Sequence, residues 1–255
     1  MVWPQYFDNI CHTPANIDRI TGSDRAGPVG GYSMIAQNLD AISKKIGEAT
    51  IAAGRDVSEI TLIGVTKTKP LEMIKKAFEA GLTDVGENYV RDFSDKQTSY
   101  HPSGLNYHFI GRLPTKKARK IVGKAHLIHS VGSMKLANKI DFVCSKEKIR
   151  QDILIQVNQG GELSKSGVEP DDLEALMEEA LSLPNIRIRG LMSIPPFHEP
   201  AQPHFYQLRH LRDNLQEKLG IELPFLSMGM SGDFIEAISE GATHIRVGTS
   251  IFGSR

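Results

Sequence analysis

The chain has 255 residues, balanced charge and a sequence pI near 7.1, which leaves no electrostatic case for nucleic acid or an anionic membrane as partner. Hydrophobic residues at 40% and charged residues at 24% are ordinary for a soluble globular protein, and no apolar run approaches the length of a transmembrane helix. Two cysteines, Cys11 and Cys144, argue against a disulfide framework and for a reducing compartment, so a cytoplasmic protein is expected.

Residues 1–33 hold Pro4, Pro14, Gly22, Gly27, Pro28, Gly30 and Gly31 with no sustained period. They read as an irregular, loosely docked N-terminal extension, and nothing in them has the basic start and apolar centre of a signal peptide. Met34 stands directly before the first strong helix and is a candidate alternative start. Apolar residues at 35, 39, 42, 46 and 51–53 predict a helix over 35–54, with Gly54 as its C-cap. Ile60, Leu62, Ile63 and Val65 predict a buried parallel strand over 60–66. A strand-and-helix unit then recurs. A helix over 71–80 leads to a strand at 83–86, then Glu87, Asn88 and Tyr89, then a polar helix to about residue 97. The third strand falls at 106–111, followed by a basic helix over 115–122. The fourth falls at 126–131, followed by a helix from the Ser133 cap to about residue 148. The fifth strand (152–158), a loop (159–167) and a helix (170–183) come next, then the sixth strand (186–192), a proline-rich loop (193–203) and a helix (204–219). The seventh strand (224–228), a helix (233–240) and the eighth strand (243–247) complete the pattern.

Eight short strands, each followed by a helical segment, predict an α/β protein with a single (β/α)8 TIM-type barrel over 34–255. A doubly wound sheet more often shows five or six strands. The last element, 250–255, is thin. The helix over 35–54 is therefore expected to cover the barrel's end or to supply the missing outer-ring helix.

In such a barrel, chemistry gathers at the C-terminal ends of the strands. Lys67 closes the first strand, and Pro70 fits the first turn of the helix after it. An amine on that rim, backed by apolar wall, can lose its proton and attack a carbonyl carbon. Lys69 would push the same way if the two ammonium groups are close. The plain alternative is a solvated pair of lysines. Two loops shift the balance. The segment Ser227-Met228-Gly229-Met230-Ser231-Gly232-Asp233 runs from strand seven into a helix, and Arg246-Val247-Gly248-Thr249-Ser250 closes strand eight. Glycines, hydroxyls and helix starts make an anion cradle, and barrels frequently bind phosphate with the loops after these two strands. The plain alternative here is a tight turn with Ser231 as N-cap. A lysine amine and a phosphate cradle in one barrel mouth suggest pyridoxal 5′-phosphate (PLP) held as a Schiff base. Arg246 cannot accept a proton, so opposite a pyridine nitrogen it would leave that nitrogen neutral and weaken the ring as an electron sink.

From about residue 35 to 255 the chain resembles the YggS/PROSC family of PLP homeostasis proteins. The resemblance is carried by Val65-Thr66-Lys67-Thr68-Lys69-Pro70, Gly86-Glu87-Asn88-Tyr89, His108-Phe109-Ile110-Gly111, Ile128-His129-Ser130, Ile155-Gln156-Val157-Asn158, Ser164-Lys165-Ser166-Gly167 and Gly190-Leu191-Met192. The two loops after strands seven and eight, through Ile251-Phe252-Gly253, complete it. The resemblance implies a single PLP-binding barrel similar to the N-terminal domain of alanine racemase. By the same resemblance Lys67 forms the Schiff base, Ser231, Gly232, Gly248 and Thr249 hold the phosphate, and Arg246 faces the pyridine nitrogen. Asn88 and Met192 line the pocket. One block departs from the family's usual Gly-His-Leu-Gln-Ser-Asn-Lys: this chain has Gly111-Arg112-Leu113-Pro114-Thr115-Lys116-Lys117, which changes the third βα turn.

Alanine racemase, to which the family is related, uses a base on each face of its cofactor and takes the second from a separate C-terminal β domain. This chain runs only nine residues past Arg246, so that domain is not expected. The expectation is a monomer that binds PLP through Lys67 without efficient catalysis, supports intracellular vitamin B6 balance and serves PLP-dependent apoenzymes. The alternative is a weak PLP-dependent amino-acid racemase with Tyr89 or His108 as second base. A cofactor-free Schiff-base aldolase barrel is a third reading, which leaves Arg246 unexplained. The nine histidines show no metal-binding spacing, and Met228 and Met230 are as well explained by core packing as by a pocket wall.

Overall fold

The computed structural model describes residues 34–160 and 166–253. The expected extension over 1–33, with Cys11, and the motif residues Ser164 and Lys165 lie outside the described residues. The strands are β1 (Thr61–Val65), β2 (Asp84–Glu87), β3 (Asn106–Phe109), β4 (Leu127–Val131), β5 (Gln151–Gln156), β6 (Ile186–Met192), β7 (Phe225–Met230) and β8 (His244–Val247). They form one closed parallel barrel in chain order, shut by the pairing of β1 with β8 that sets Ile63 beside Arg246. The (β/α)8 expectation is met.

The α-helices are α1 (Met34–Ala52), α2 (Leu71–Glu79), α3 (Val90–Ser99), α4 (Met134–Glu147), α5 (Leu173–Leu181), α6 (Ala201–Leu219), α7 (Phe234–Ser239) and α8 (Thr249–Phe252). With α8 only four residues long, α1 takes the place of the missing outer-ring helix. It packs against α2, α7 and α8 through Ile35, Leu39, Ile42 and Ile46, one helical stripe. The Asn38 side chain donates to the Ile251 carbonyl at 3.0 Å and ties α1 to α8.

Three elements differ from the sequence pattern. The basic segment after β3 is a 3-10 helix, Thr115–Lys120, instead of an α-helix. Pro114 precedes it and its buried residue is Ala118, so its apolar face is too small to repay α-helix formation by packing. Helix α6 starts at Ala201 and not at 204, which puts Pro203 inside its first turn, where the missing N–H is not needed. Strand β7 runs on to Met230, because Gly229 adopts φ +89 and carries the chain past the expected end. Ser133 does cap α4: its hydroxyl accepts from the Leu136 N–H at 3.4 Å.

Two cores result. The larger lies between the barrel's outer face and the helices. Phe93 of α3 meets Tyr107 and Phe109 of β3 edge-on, with ring centroids 6.0 and 5.9 Å apart. Cys144 is buried there, its thiol pushed up to about 11 by burial, as fits a small core hydrophobe. The smaller core is inside the barrel, where Leu127, Leu154 and Met192 pack with Phe225. The rest of the barrel interior is unusually polar, and that polarity leads to the site.

Candidate cofactor site at the barrel mouth

Lys67 lies on the turn just past β1, half-buried. The next residue, Thr68, has φ +64, a left-handed conformation that is costly for a β-branched side chain. The turn is held from below. Thr66 is buried, and its hydroxyl donates to Glu87 Oε1 at 2.6 Å. Lys96, reaching in from α3, donates to the same carboxylate oxygen and to the Thr66 carbonyl at 2.8 Å. Burial raises the pKa of Glu87, while the hydrogen bonds from Lys96 and Thr66 work against the shift. Lys69 is engaged elsewhere: its ammonium donates to the carbonyls of Phe252 and Gly253 at 3.2 and 3.0 Å. It therefore anchors the C-terminal end of α8 to the turn after β1.

Across the mouth, the loops after β7 and β8 meet. Ser231 and Gly232 sit on the turn after β7, and Thr249 opens α8 directly after Gly248. The Thr249 hydroxyl donates to Ser231 Oγ at 3.4 Å and links the two loops. Ser231 is not an N-cap. Helix α7 starts at Phe234 behind Asp233, and Asp233 Oδ1 instead accepts from the Met230 N–H and closes the turn. A Cβ placed on Gly232 would meet nothing within 4 Å, so the loop leaves open space there. The first N–H groups of α8 have no acceptor within their own helix. Two hydroxyls and such amides suit an oxyanion.

Arg246, from β8, is buried in the barrel. Its Nη1 donates to Ser227 Oγ at 2.6 Å and its Nη2 to the Ser193 carbonyl at 2.9 Å. Burial lowers its pKa to about 10, which the charge of Asp233 opposes, so the guanidinium is charged at neutral pH. Behind Ser227 the polar contacts continue. Ser227 Oγ is 2.8 Å from His129 Nδ1, His129 Nε2 is 3.0 Å from His108 Nδ1, and His108 Nε2 is 2.9 Å from Asp84 Oδ1. Asp84 also accepts from Thr83 and Asn106 at 2.6 and 3.1 Å. Burial opposes its ionisation, but His108, Thr83 and Asn106 outweigh that and hold its pKa down at about 2.

The structure brings Lys67, Asn88, Met192, Ser231, Gly232, Arg246, Gly248 and Thr249 to the C-terminal ends of β1, β2, β6, β7 and β8. Of the eight buried side-chain polar atoms without a hydrogen-bond partner among the described residues, four lie within one residue of the C-terminal ends of β2, β4 and β6: Glu87 Oε2, Asn88 Oδ1, Ser130 Oγ and Ser193 Oγ. Asn88, Ser130 and Ser193 lie at or just past the ends of β2, β4 and β6, where a bound molecule could satisfy them. Gly111, two residues past β3, lies against Asn88, and a Cβ there would come within 2.0 Å of the Asn88 carbonyl oxygen. Arg112 and Pro114, the unusual residues of that turn, are exposed. The two candidate second bases part company. Tyr89 is exposed on the rim, whereas His108 is buried with both ring nitrogens engaged.

Sequence reasoning missed the buried line from Asp84 to Ser227. Its signal was present as polar residues at alternate positions of the strands, Asn106 and His108 in β3 and His244 and Arg246 in β8, with His129 two places from the apolar Leu127 in β4. Among the described residues no group of His, Cys, Asp or Glu is arranged to hold a metal, and no helix is long and apolar enough to cross a membrane.

A closed barrel with a lysine after β1 and hydroxyl-linked loops after β7 and β8 is of the alanine racemase N-terminal-domain class. The family described as "Alanine racemase, N-terminal domain" matches residues 35–255. The likeness to the alanine racemase of Corynebacterium glutamicum shows the fold alone: 15% identity and a TM-score of 0.68 over 88% of this chain and 62% of that one. Two relatives are nearer. The pyridoxal phosphate homeostasis protein of Aquifex aeolicus is 45% identical over 222 residues, 86% of this chain and 97% of the relative. PipY of Synechococcus elongatus, whose structure has been solved with PLP bound, is 35% identical, with a TM-score of 0.76 over 86% of this chain and all of that one. The chain belongs to the pyridoxal phosphate homeostasis protein family.

Proposed function

We propose that this protein binds PLP reversibly at the barrel mouth and serves intracellular PLP homeostasis as a carrier and not as an efficient catalyst. The observation that carries the reading is the meeting, at one end of one barrel, of the Lys67 turn with the Ser231–Thr249 hydroxyl pair. The PLP-bound relative PipY supports it.

PLP supplies an aldehyde that condenses reversibly with amines and a ring that withdraws electrons from what is attached. Lys67 would hold it covalently through its amine. The residues present fit the group. Ser231, Gly232, Gly248 and Thr249 would hold the phosphate with hydroxyls and backbone amides. Asn88 and Met192 would wall the ring, and the unpartnered Asn88 Oδ1 is buried at that point. Arg246 would face the pyridine nitrogen. It has only donors to offer and stays charged, so it can neither accept nor supply a proton at that atom. A ring held that way is a weak electron sink, which suits carriage better than turnover. His108, with both nitrogens engaged inside the barrel, is poorly placed to serve as a second base.

We take 34–255 as the binding unit and 1–33 as an extension outside it, in keeping with a family match that starts at residue 35. The same reading makes the protein a cytoplasmic monomer that passes PLP to apoenzymes. The test is an absorbance spectrum of the purified protein before and after borohydride. The expected outcome is a band near the visible edge that reduction removes, with added mass on the Lys67 peptide and no band in Lys67→Ala. A band that Lys67→Ala retains after washing overturns the reading.

A further inference from the structure

A buried arginine normally keeps a carboxylate against it, because an unpaired charge in a low-dielectric interior is costly. Arg246 has none in hydrogen-bond contact among the described residues, although the charge of Asp233 acts on it from a distance. Its nearest polar neighbours are the Ser227 hydroxyl and the Ser193 carbonyl. The chain of contacts behind Ser227, however, ends on Asp84. We propose that Asp84, His108 and His129 are positioning residues: they form a one-way hydrogen-bond line that carries the negative charge of Asp84 across the barrel to Arg246 and fixes the Ser227 hydroxyl and the guanidinium in one orientation.

The direction follows from donor and acceptor chemistry at each link. Arg246 has only donors, so Ser227 Oγ accepts at the 2.6 Å contact. At the other end an ionised carboxylate has only acceptors, so His108 donates from Nε2 to Asp84 at 2.9 Å. A neutral His108 then presents Nδ1 as an acceptor, and His129 must donate to it from Nε2 across 3.0 Å. That leaves His129 Nδ1 as an acceptor, and the Ser227 hydroxyl donates to it across 2.8 Å. Every donor points from Arg246 toward Asp84, and both histidines carry their proton on Nε2.

The reverse arrangement needs an extra proton on the line. It would place an imidazolium in the same interior as Arg246, and Asp84 could balance only one of the two charges. It would also aim two donors, Arg246 Nη1 and His129 Nδ1, at one hydroxyl. Burial, followed by the neighbouring His108, His244 and Arg246, holds the pKa of His129 well below its ordinary value, which agrees with a neutral ring at that link. The other titratable rings facing it are His126, whose centroid is 5.3 Å from that of His108, and His244, 5.9 Å from His129. His244 Nδ1 is occupied by Thr243 Oγ1 at 2.9 Å.

The inference rests on the PLP reading only in what Arg246 serves; the line itself can be tested without cofactor. Two-bond proton–nitrogen correlation NMR on PLP-free protein reports the tautomer of each ring, with His108→Gln and His129→Gln supplying the assignments. The expected result is the Nε2–H form for both rings in the wild type. In Asp84→Ala the fixed form is lost at His129, two links from the change. Asp84→Asn, which keeps an acceptor oxygen, restores it. An Nδ1–H form at His129 in the wild type overturns the proposal, as does an Asp84→Ala protein whose His129 is unaltered. If Asp84→Ala does not fold, the wild-type tautomers and retention of the Nε2–H form in Asp84→Asn decide the matter. PLP should dissociate about tenfold more readily from Asp84→Ala, the value of one hydrogen bond to a charged group. Expected tautomers with unaltered PLP binding support the line and overturn only the assignment of Arg246 to the pyridine nitrogen.

Discussion

The Thr66 hydroxyl donates to the fully buried carboxylate of Glu87 at 2.6 Å, one residue before Lys67. That bond, with Lys96 on the same carboxylate, fixes the turn from which the Lys67 side chain projects. Removing the carboxylate strands the ammonium of Lys96, whose side chain is only 12% exposed. Glu87→Ala should therefore destabilise the protein by about 3–5 kcal/mol, the range for breaking a buried pair on one side. Glu87→Gln, which keeps an acceptor for Thr66, should cost less. Urea midpoints at unchanged slope read both, and a Glu87→Ala protein as stable as wild type would mean that the pair contributes nothing.

Acid stability should follow the buried histidines. Burial, ahead of the neighbouring charges, brings His244 down to about 3 and pushes His129 in the same direction. Both are neutral when folded and take up a proton when unfolded. Their contribution is intact above the unfolded histidine pKa, about 6.5, and is lost as pH falls from there toward about 3. Each should add about 1.4 kcal/mol of slope per pH unit within that window. Asp84, at about 2, loses its own contribution only below about pH 3.9. Denaturant titrations from pH 7 to pH 4 on wild type and His244→Gln should show a shallower fall in the variant.

Gly229 holds φ +89 in β7, and a Cβ there would lie 2.5 Å from Ala237 Cβ. Gly229→Ala should lower stability by about 1–3 kcal/mol, the range for strained backbone, and displace the turn carrying Ser231 and Gly232. A drop in melting temperature together with weaker PLP retention is the expected pair of results.

Thr249→Ala and Ser231→Ala should separate binding from stability. Thr249 is exposed and Ser231 is half-exposed, so each change should move stability by no more than about 0.5 kcal/mol. If the hydroxyls hold the PLP phosphate, each variant should release PLP several-fold faster in dialysis followed by absorbance. Unchanged release from the double variant would remove these hydroxyls from the phosphate site.

The barrel was legible in the chain because its signal is local. Eight short strands, the clearest of them apolar runs such as Ile153-Leu154-Ile155, are each followed by a helical segment, and the apolar runs report burial on both faces of a parallel strand. Lys67, Ser231, Arg246 and Thr249 could be picked out because strand ends are where barrels gather function, and the strand ends were visible. The segment after β3 and the start of α6 were misread because 3-10 and α turns share their first residues and because Pro203 looks like a breaker at any helix position but the first turn.

What only the tertiary structure decided is which polar residues face one another across the barrel. Asp84, His108, His129 and Ser227 come from β2, β3, β4 and β7, and the positions span 143 residues from first to last (227 minus 84). Alternation along a strand tells which side chains point inward, but not which inward side chains meet. That depends on strand register and on barrel closure, which set Ile63 beside both Asp84 and Arg246. Strand-end residues are found by local pattern, whereas the polar line beneath them exists only once the eighth strand pairs with the first.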